Sequence, residues 1–158
     1  MLEISTNPYW WNEAPPQDFS LDEWPTSVDV VIVGGGYTGF GAAIPLARSG
    51  LDVIVIERDQ IGSGASTRNG GLTSGNIRLS LKALSKRFGE KGAEAFYKEA
   101  HTARANLFDF IRTEKIDCDL KICGRFVGAI RPRALENLMR DTDKVNELLG
   151  TNATVHDY

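Results

Sequence analysis

Three glycines and one acid carry the first sign of chemistry. Gly34, Gly36 and Gly39 stand in the spacing G-x-G-x-x-G within GGGYTG, and Glu57 follows 23 positions after the first of them. Each glycine has its own reason. Gly34 permits a tight exit from a strand, Gly36 lets a diphosphate approach the main chain, and Gly39 lets a helix lie close on a sheet. Phosphate oxygens would then rest on the unpaired N–H groups of the helix start, where the helix dipole favours negative charge. An acid at the end of the next strand can accept from ribose hydroxyls, so Glu57 completes the pattern of a dinucleotide site. Its charge opposes a 2′-phosphate on that ribose, while the adjacent Arg58 works against this preference. A glycine hexapeptide alone is weak evidence in a chain with 16 glycines. The competing reading is a structural strand-turn-helix with a surface glutamate.

The elements that must position these residues are legible around them. Val28 to Val33 is a β-branched run without alternation, the pattern of a strand covered on both faces of a parallel sheet. Tyr37 to Ser49 reads as a helix ended by Gly50, where a left-handed residue costs nothing. LDVIVIER follows as a second buried strand, giving a β-α-β unit for which a right-handed crossover is expected. The fold class is therefore α/β, a Rossmann-like β-α-β unit with a parallel sheet plus additional helices. Pro45 lies well inside the first helix and removes the bond its N–H would give to Gly41, which predicts a kink. Residues 1–27, rich in Trp and Pro, read as an extended arm packed on the body formed by residues 28–158.

From Asp59 to Gly75 the chain reads DQIGSGASTRNGGLTSG, a loop with five glycines. Ser63, Ser66, Thr67, Arg68 and Asn69 offer donors for phosphate oxygens and for the carbonyls of a ring, and Gly70 and Gly71 would let backbone lie against a flat heterocycle. Composition alone equally allows a flexible surface loop. Downstream, Leu79 to Phe88 is expected as a short helix and Gly92 to Glu114 as a long one. Phe96, Ala100, Ala103, Leu107 and Phe110 would form the buried stripe of the longer helix. DLKICGRFVGAI is expected as a strand or as two short ones meeting at Gly124. Pro132 suits the first turn of a last helix that carries Leu135, Leu138, Met139, Val145 and Leu148 inward and closes at Gly150.

Composition bounds the function. The 158 residues are 42% hydrophobic and 25% charged, enough for a globular domain with a core. The net charge of -3 is uneven: all 18 Lys and Arg fall at or after Arg48, and the first 29 residues carry only acids. No clustered basic face suggests nucleic acid. No apolar run suggests a membrane span, and the acidic start does not look like a secretory signal, so a cytoplasmic address is expected. Cys118 and Cys123 fit no common metal or redox spacing and read as free, partly buried thiols. Neither His101, in an amphipathic helix, nor His156, near the end, has partners for catalysis in the sequence. No metal site is expected.

The stretches YWW, DVVIVGGGYTGFGAAIPLARSG, VIVIERDQIGSGASTRNGG and GRFVGAIRP resemble the N-terminal part of FAD-dependent amine and amino-acid oxidoreductases of the D-amino-acid oxidase superfamily, its gamma-glutamylputrescine oxidase-like branch in particular. The likeness is specific from Tyr9 to Leu72 and looser to about Arg140. It implies FAD as cofactor, with Gly34, Gly36, Tyr37, Thr38 and Gly39 lining the pyrophosphate and Glu57, beside Arg58, on the adenosine ribose. It further implies Ser66 and Thr67 near the phosphates, and Arg68, Asn69, Gly70 and Gly71 beside the isoalloxazine. The implied reaction is oxidation of a small-molecule amine or amino acid by hydride transfer to flavin. Pro45 and Thr67 depart from the family pattern. Family members are more than twice this length, so the chain is expected to be truncated relative to them. Two other readings stand beside this one: an NAD-binding Rossmann module, and a truncated fragment without catalysis.

Overall fold

A computed structural model describes residues 5–19, 23–75 and 77–156. The chain divides into two compact units, Met1–Leu72 and Thr73–Tyr158.

The first unit holds the β-α-β motif. Strand β1 (Val30–Val33) pairs in parallel with β2 (Val53–Ile56), in the register Val30 to Val53 through Val33 to Ile56. The connection between them is helix α1 (Tyr37–Arg48), as a parallel pair requires. Asp29 extends the pairing at one end: its N–H donates to Asp52 O at 3.0 Å, and its carboxylate accepts from Asp52 N at 2.8 Å. Coverage differs from the expectation. Strand β1 alternates, with Val30 and Ile32 half-buried while Val31 and Val33 are 52% and 84% exposed. Among the described residues α1 covers one face of the pair, and nothing comparable covers the other. Helix α1 runs unbroken through Pro45 and turns the small face of Gly39 and Ala43 to the sheet. Its end is built as expected, with Gly50 at φ +89 after the last turn. Ahead of the motif, Tyr9–Asn12 form a single 3-10 turn, and after it Ala65–Thr67 form another.

The second unit is two helices. Helix α2 (Leu81–Thr113) starts at Ser80, whose hydroxyl accepts from Ala83 N at 3.2 Å. It breaks at Gly89, with φ 73 and ψ 168, so the short and long helices read from the sequence meet at that residue. Phe88 and Phe96 close their rings to 5.1 Å across the break, and Tyr97 O–H donates to Leu79 O at 3.2 Å. Burial raises the Tyr97 pKa above its ordinary value, so this donor keeps its proton. Helix α3 (Pro132–Leu149) packs on α2, with Pro132 in its first turn and Gly150 in the left-handed conformation at its end. Asn146 seals that end, donating to Ala153 O and accepting from Ala153 N and the Thr151 hydroxyl.

Three expectations for this unit are corrected. Of the expected inward stripe of α2, Ala100 and Phe110 are half-buried, but Phe96, Ala103 and Leu107 are exposed. Other inward positions include Ala93, fully buried, and the half-buried Tyr97, Arg104 and Phe108. The reason is the segment before the helix. Gly75 lies against Ala100 O and the Arg104 side chain, so the side of the helix that it crosses is the covered one. In α3, Leu135, Leu138, Val145 and Leu148 are half-buried as expected, but Met139 is 45% exposed. Last, residues 119–130 form no strand. A strand needs a ladder partner, and among the described residues this unit offers only helices; Phe126 is left 89% and Ile130 91% exposed.

Candidate dinucleotide site

The glycine turn is fixed by its own backbone before any ligand is considered. Gly34 leaves β1 at φ +107, a conformation that an L side chain rarely adopts. Its N–H completes the ladder by donating to Ile56 O at 2.7 Å. Gly39 is forced by close approach: a Cβ there would lie 1.9 Å from Gly34 O and 3.5 Å from Ile32 Cγ2. Helix α1 can therefore rest on β1 only with hydrogen at that position. At Gly36 the neighbour is Ser66, whose Oγ would be 2.9 Å from an added Cβ.

The amides of this turn divide into two sets. Gly35 N–H donates to Glu57 Oε2 at 2.7 Å, and Tyr37 N–H donates to Ser66 Oγ at 3.0 Å. The N–H groups of Gly36, Thr38 and Gly39 have no hydrogen-bond partner among the described residues. They stand at the start of α1, where a helix leaves its first N–H groups unpaired and its dipole is positive. No acidic side chain occupies that first turn. Gly34, Gly36, Tyr37, Thr38, Gly39, Ala42 and Ser66 line a notch of about 330 Å³ at this place. Tyr37 borders the notch but is 72% exposed, and its N–H is taken by Ser66. Ser66 Oγ spends a lone pair on Tyr37 N–H, which leaves its proton free to donate into the notch.

Glu57 turns back on the glycines. Besides Gly35, it accepts through Oε1 from Arg58 N at 2.8 Å and Asp59 N at 3.2 Å. These three donors, the Gly35 bond foremost, lower its pKa below the ordinary 4.5, with Arg58 adding attraction. A carboxylate has about four acceptor sites, so three bonds leave capacity for one more donor. Arg58 is directed elsewhere: its guanidinium pairs with Asp59 at 3.0 Å and its side chain is 90% exposed.

The remaining candidates lie along the loop rather than in the notch. Thr67 Oγ1 donates to Gly62 O at 2.6 Å, which ties the loop internally. Arg68 donates from Nε to Ser63 O at 3.1 Å and from Nη1 to Thr6 O at 2.7 Å. Asn69 donates from Nδ2 to Ser66 O and accepts at Oδ1 from Gly71 N. Gly70 is exposed with open space around it. Sequence reasoning missed two participants. Gly35, buried against Glu57 Cβ and Ile61, is the glycine that lets the acid reach the turn, and the run of three glycines was its signal. Trp10, which packs on Gly71, stands in the sequence only as part of the YWW stretch of the resemblance, with no role assigned to it. Among the described residues no group of His, Cys, Asp and Glu could hold a metal ion.

The model of the family described as FAD dependent oxidoreductase (DAO) matches residues 29–155. The chain belongs to the FAD-dependent oxidoreductase family. The family binds FAD, and its members are oxidoreductases with a Rossmann-like FAD-binding domain, to which the α-on-parallel-sheet motif corresponds. The chain is similar to gamma-glutamylputrescine oxidoreductase of Escherichia coli, 36% identical over 79% of this chain and 31% of that protein. It is also similar to the Rhizobium meliloti protein named "Probable oxidoreductase OrdL", 34% identical over 73% of this chain and 28% of the other. Mitochondrial glycerol-3-phosphate dehydrogenase of Bos taurus is 40% identical over 51% of this chain and 11% of its own length. The chain thus spans less than a third of the length of these relatives. No solved structure matches it.

Proposed function

We propose that this chain is the adenosine-diphosphate-binding portion of a flavoenzyme that oxidises a small-molecule amine or amino acid at carbon next to nitrogen. The observation that carries the reading is the set of three N–H groups, on Gly36, Thr38 and Gly39, that have no partner among the described residues, beside the Ser66 hydroxyl at the start of α1. A diphosphate is a fitting occupant for four convergent donors on the positive end of a helix. The remaining acceptor capacity of Glu57 suits a ribose hydroxyl, and its lowered pKa keeps it charged for that task. When bound, FAD supplies the two-electron acceptor for the oxidation. The residues of this chain would bind and orient it: the turn would donate hydrogen bonds to the phosphates, Glu57 would hold the sugar, and residues 68–71 would border the flavin end. That the substrate is an amine draws support from the name of the Escherichia coli relative. A cytoplasmic setting belongs to the same proposal and is supported by the thiols of Cys118 and Cys123, which are free and, against the expectation of partial burial, exposed.

The test is calorimetric titration of the full chain with FAD, NAD and ADP. FAD and ADP are expected to bind, and Glu57→Lys to abolish both. Unchanged affinity in that variant, or binding of NAD in preference to FAD, would overturn the reading. The oxidation is tested on the FAD-loaded protein, by bleaching of the flavin absorbance with amines and amino acids under anaerobic conditions. A flavin that stays oxidised with every amine removes the substrate class from the proposal.

A further inference from the structure

The loop that borders the notch is held from an unexpected direction. Among the described residues, the hydrogen bonds that reach residues 68–71 from outside their own loop come from the N-terminal arm: Trp10 Nε1 donates to Asn69 O at 2.8 Å, and Thr6 O accepts from Arg68 Nη1 at 2.7 Å. The packing is also steric. Gly71 sits at φ +66 under the indole, and a Cβ on it would lie 2.9 Å from Cζ2 and 3.1 Å from Cη2 of Trp10. Tyr9 backs the same indole edge-on, with ring centroids 5.2 Å apart. Among the described residues neither strand nor α1 supplies a hydrogen bond to this stretch: Asn69 Nδ2 ties it to Ser66 O at 2.7 Å from within the loop, and the arm alone holds it from outside.

Resting on the FAD reading above, we propose that Trp10 is a positioning residue for the flavin end of the cofactor. It clamps Asn69 to Gly71, the backbone that on this reading would border the isoalloxazine, so that the stretch is preformed before the cofactor arrives. Trp10 touches the loop and acts through it. A preformed loop spares the ordering entropy that a mobile one would lose on binding, so the clamp adds affinity for FAD but none for a ligand that ends at the diphosphate.

The experiment compares FAD with ADP on the full chain and on Trp10→Ala, Trp10→Phe and Glu57→Lys, with the circular dichroism of bound flavin as a second readout. Trp10→Ala removes both the hydrogen bond to Asn69 and the ring over Gly71, so it should weaken FAD binding about tenfold and leave ADP within about twofold. The visible flavin dichroism should fall with it. Trp10→Phe keeps a ring over Gly71 and should recover most of both, which also answers the case in which the alanine variant does not fold. Gly71→Ala should weaken FAD binding less in the Trp10→Ala background than in the wild-type chain, because the clashing ring is gone. Equal FAD affinity and equal dichroism in Trp10→Ala, with Glu57→Lys still abolishing binding, overturns the clamp and leaves the site standing. Tighter FAD binding in Trp10→Ala overturns it too, since the indole would then be occupying the flavin's place. Unchanged binding in Glu57→Lys removes the underlying reading instead.

Discussion

The two units of this chain spend their residues differently. In Met1–Leu72 the decisive interactions are polar and far apart in sequence: Gly35 to Glu57, Tyr37 to Ser66, Trp10 to Asn69. In Thr73–Tyr158 they are helix caps, local bonds and a modest apolar seam around Leu84 and Ala93, while Phe126 and Ile130 stay almost bare. A turn built from backbone amides tolerates no substitution that adds a side chain or removes an acceptor. A helix pair held by partly buried side chains tolerates many. The difference teaches where mutations will report on the cofactor site and where they will report on little.

The sharpest way to break this contrast is Gly39→Val. Its Cβ has to displace Gly34 O, so the first unit should lose about 3 kcal/mol or more in urea denaturation, with FAD binding lost alongside. Preserved stability would mean that α1 does not sit on β1 as described. In the second unit the comparable test is Gly89→Ala. The φ of 73 and ψ of 168 belong to a region almost reserved for glycine, so a loss of about 1–3 kcal/mol is expected in thermal unfolding, without change in ADP affinity. Loss of ADP binding there would erase the distinction between the units.

Acid provides a milder probe. The pKa of Glu57 is lowered in the folded chain, so its contribution is complete above the unfolded value near 4.5 and fades as pH falls through the lowered value. ADP affinity and stability of the first unit should therefore decline together on acidification, and Glu57→Gln should remove that dependence; a profile unchanged by Gln would assign the acid sensitivity elsewhere. At the small end, Phe126→Ser should shift stability by less than about 0.5 kcal/mol, because an 89% exposed ring packs against little. A larger loss would show that residues 119–130 are covered in solution.

How much could be read in advance follows the same division. The strand-turn-helix-strand order, the ends at Gly50 and Gly150, and the separation of two helices near Gly89 were legible, because each rests on the stereochemistry of a few adjacent residues. The strand expected over DLKICGRFVGAI was not found, since loose alternation describes a strand only where a ladder partner exists. The stripe through Phe96 and Leu107 was misread for a related reason. Apolar residues lie on more than one side of α2, and the segment at Gly75 selects which side is covered. In the site, the glycines and Glu57 could be named from their spacing. Which amides the chain would keep for itself could not, because Gly35 and Tyr37 are satisfied by residues 22 and 29 positions away.

The sequence by itself determined where backbone must bend and where a helix must begin without a side-chain cap, since φ preferences and missing Cβ atoms act at the residue that carries them. Tertiary structure alone decided that Gly36, Thr38 and Gly39 keep their N–H groups open, that Glu57 folds onto Gly35, and that Trp10 lies over Gly71. Those outcomes depend on which distant groups arrive within hydrogen-bond length, and only the packing of strand, helix, loop and arm sets that distance.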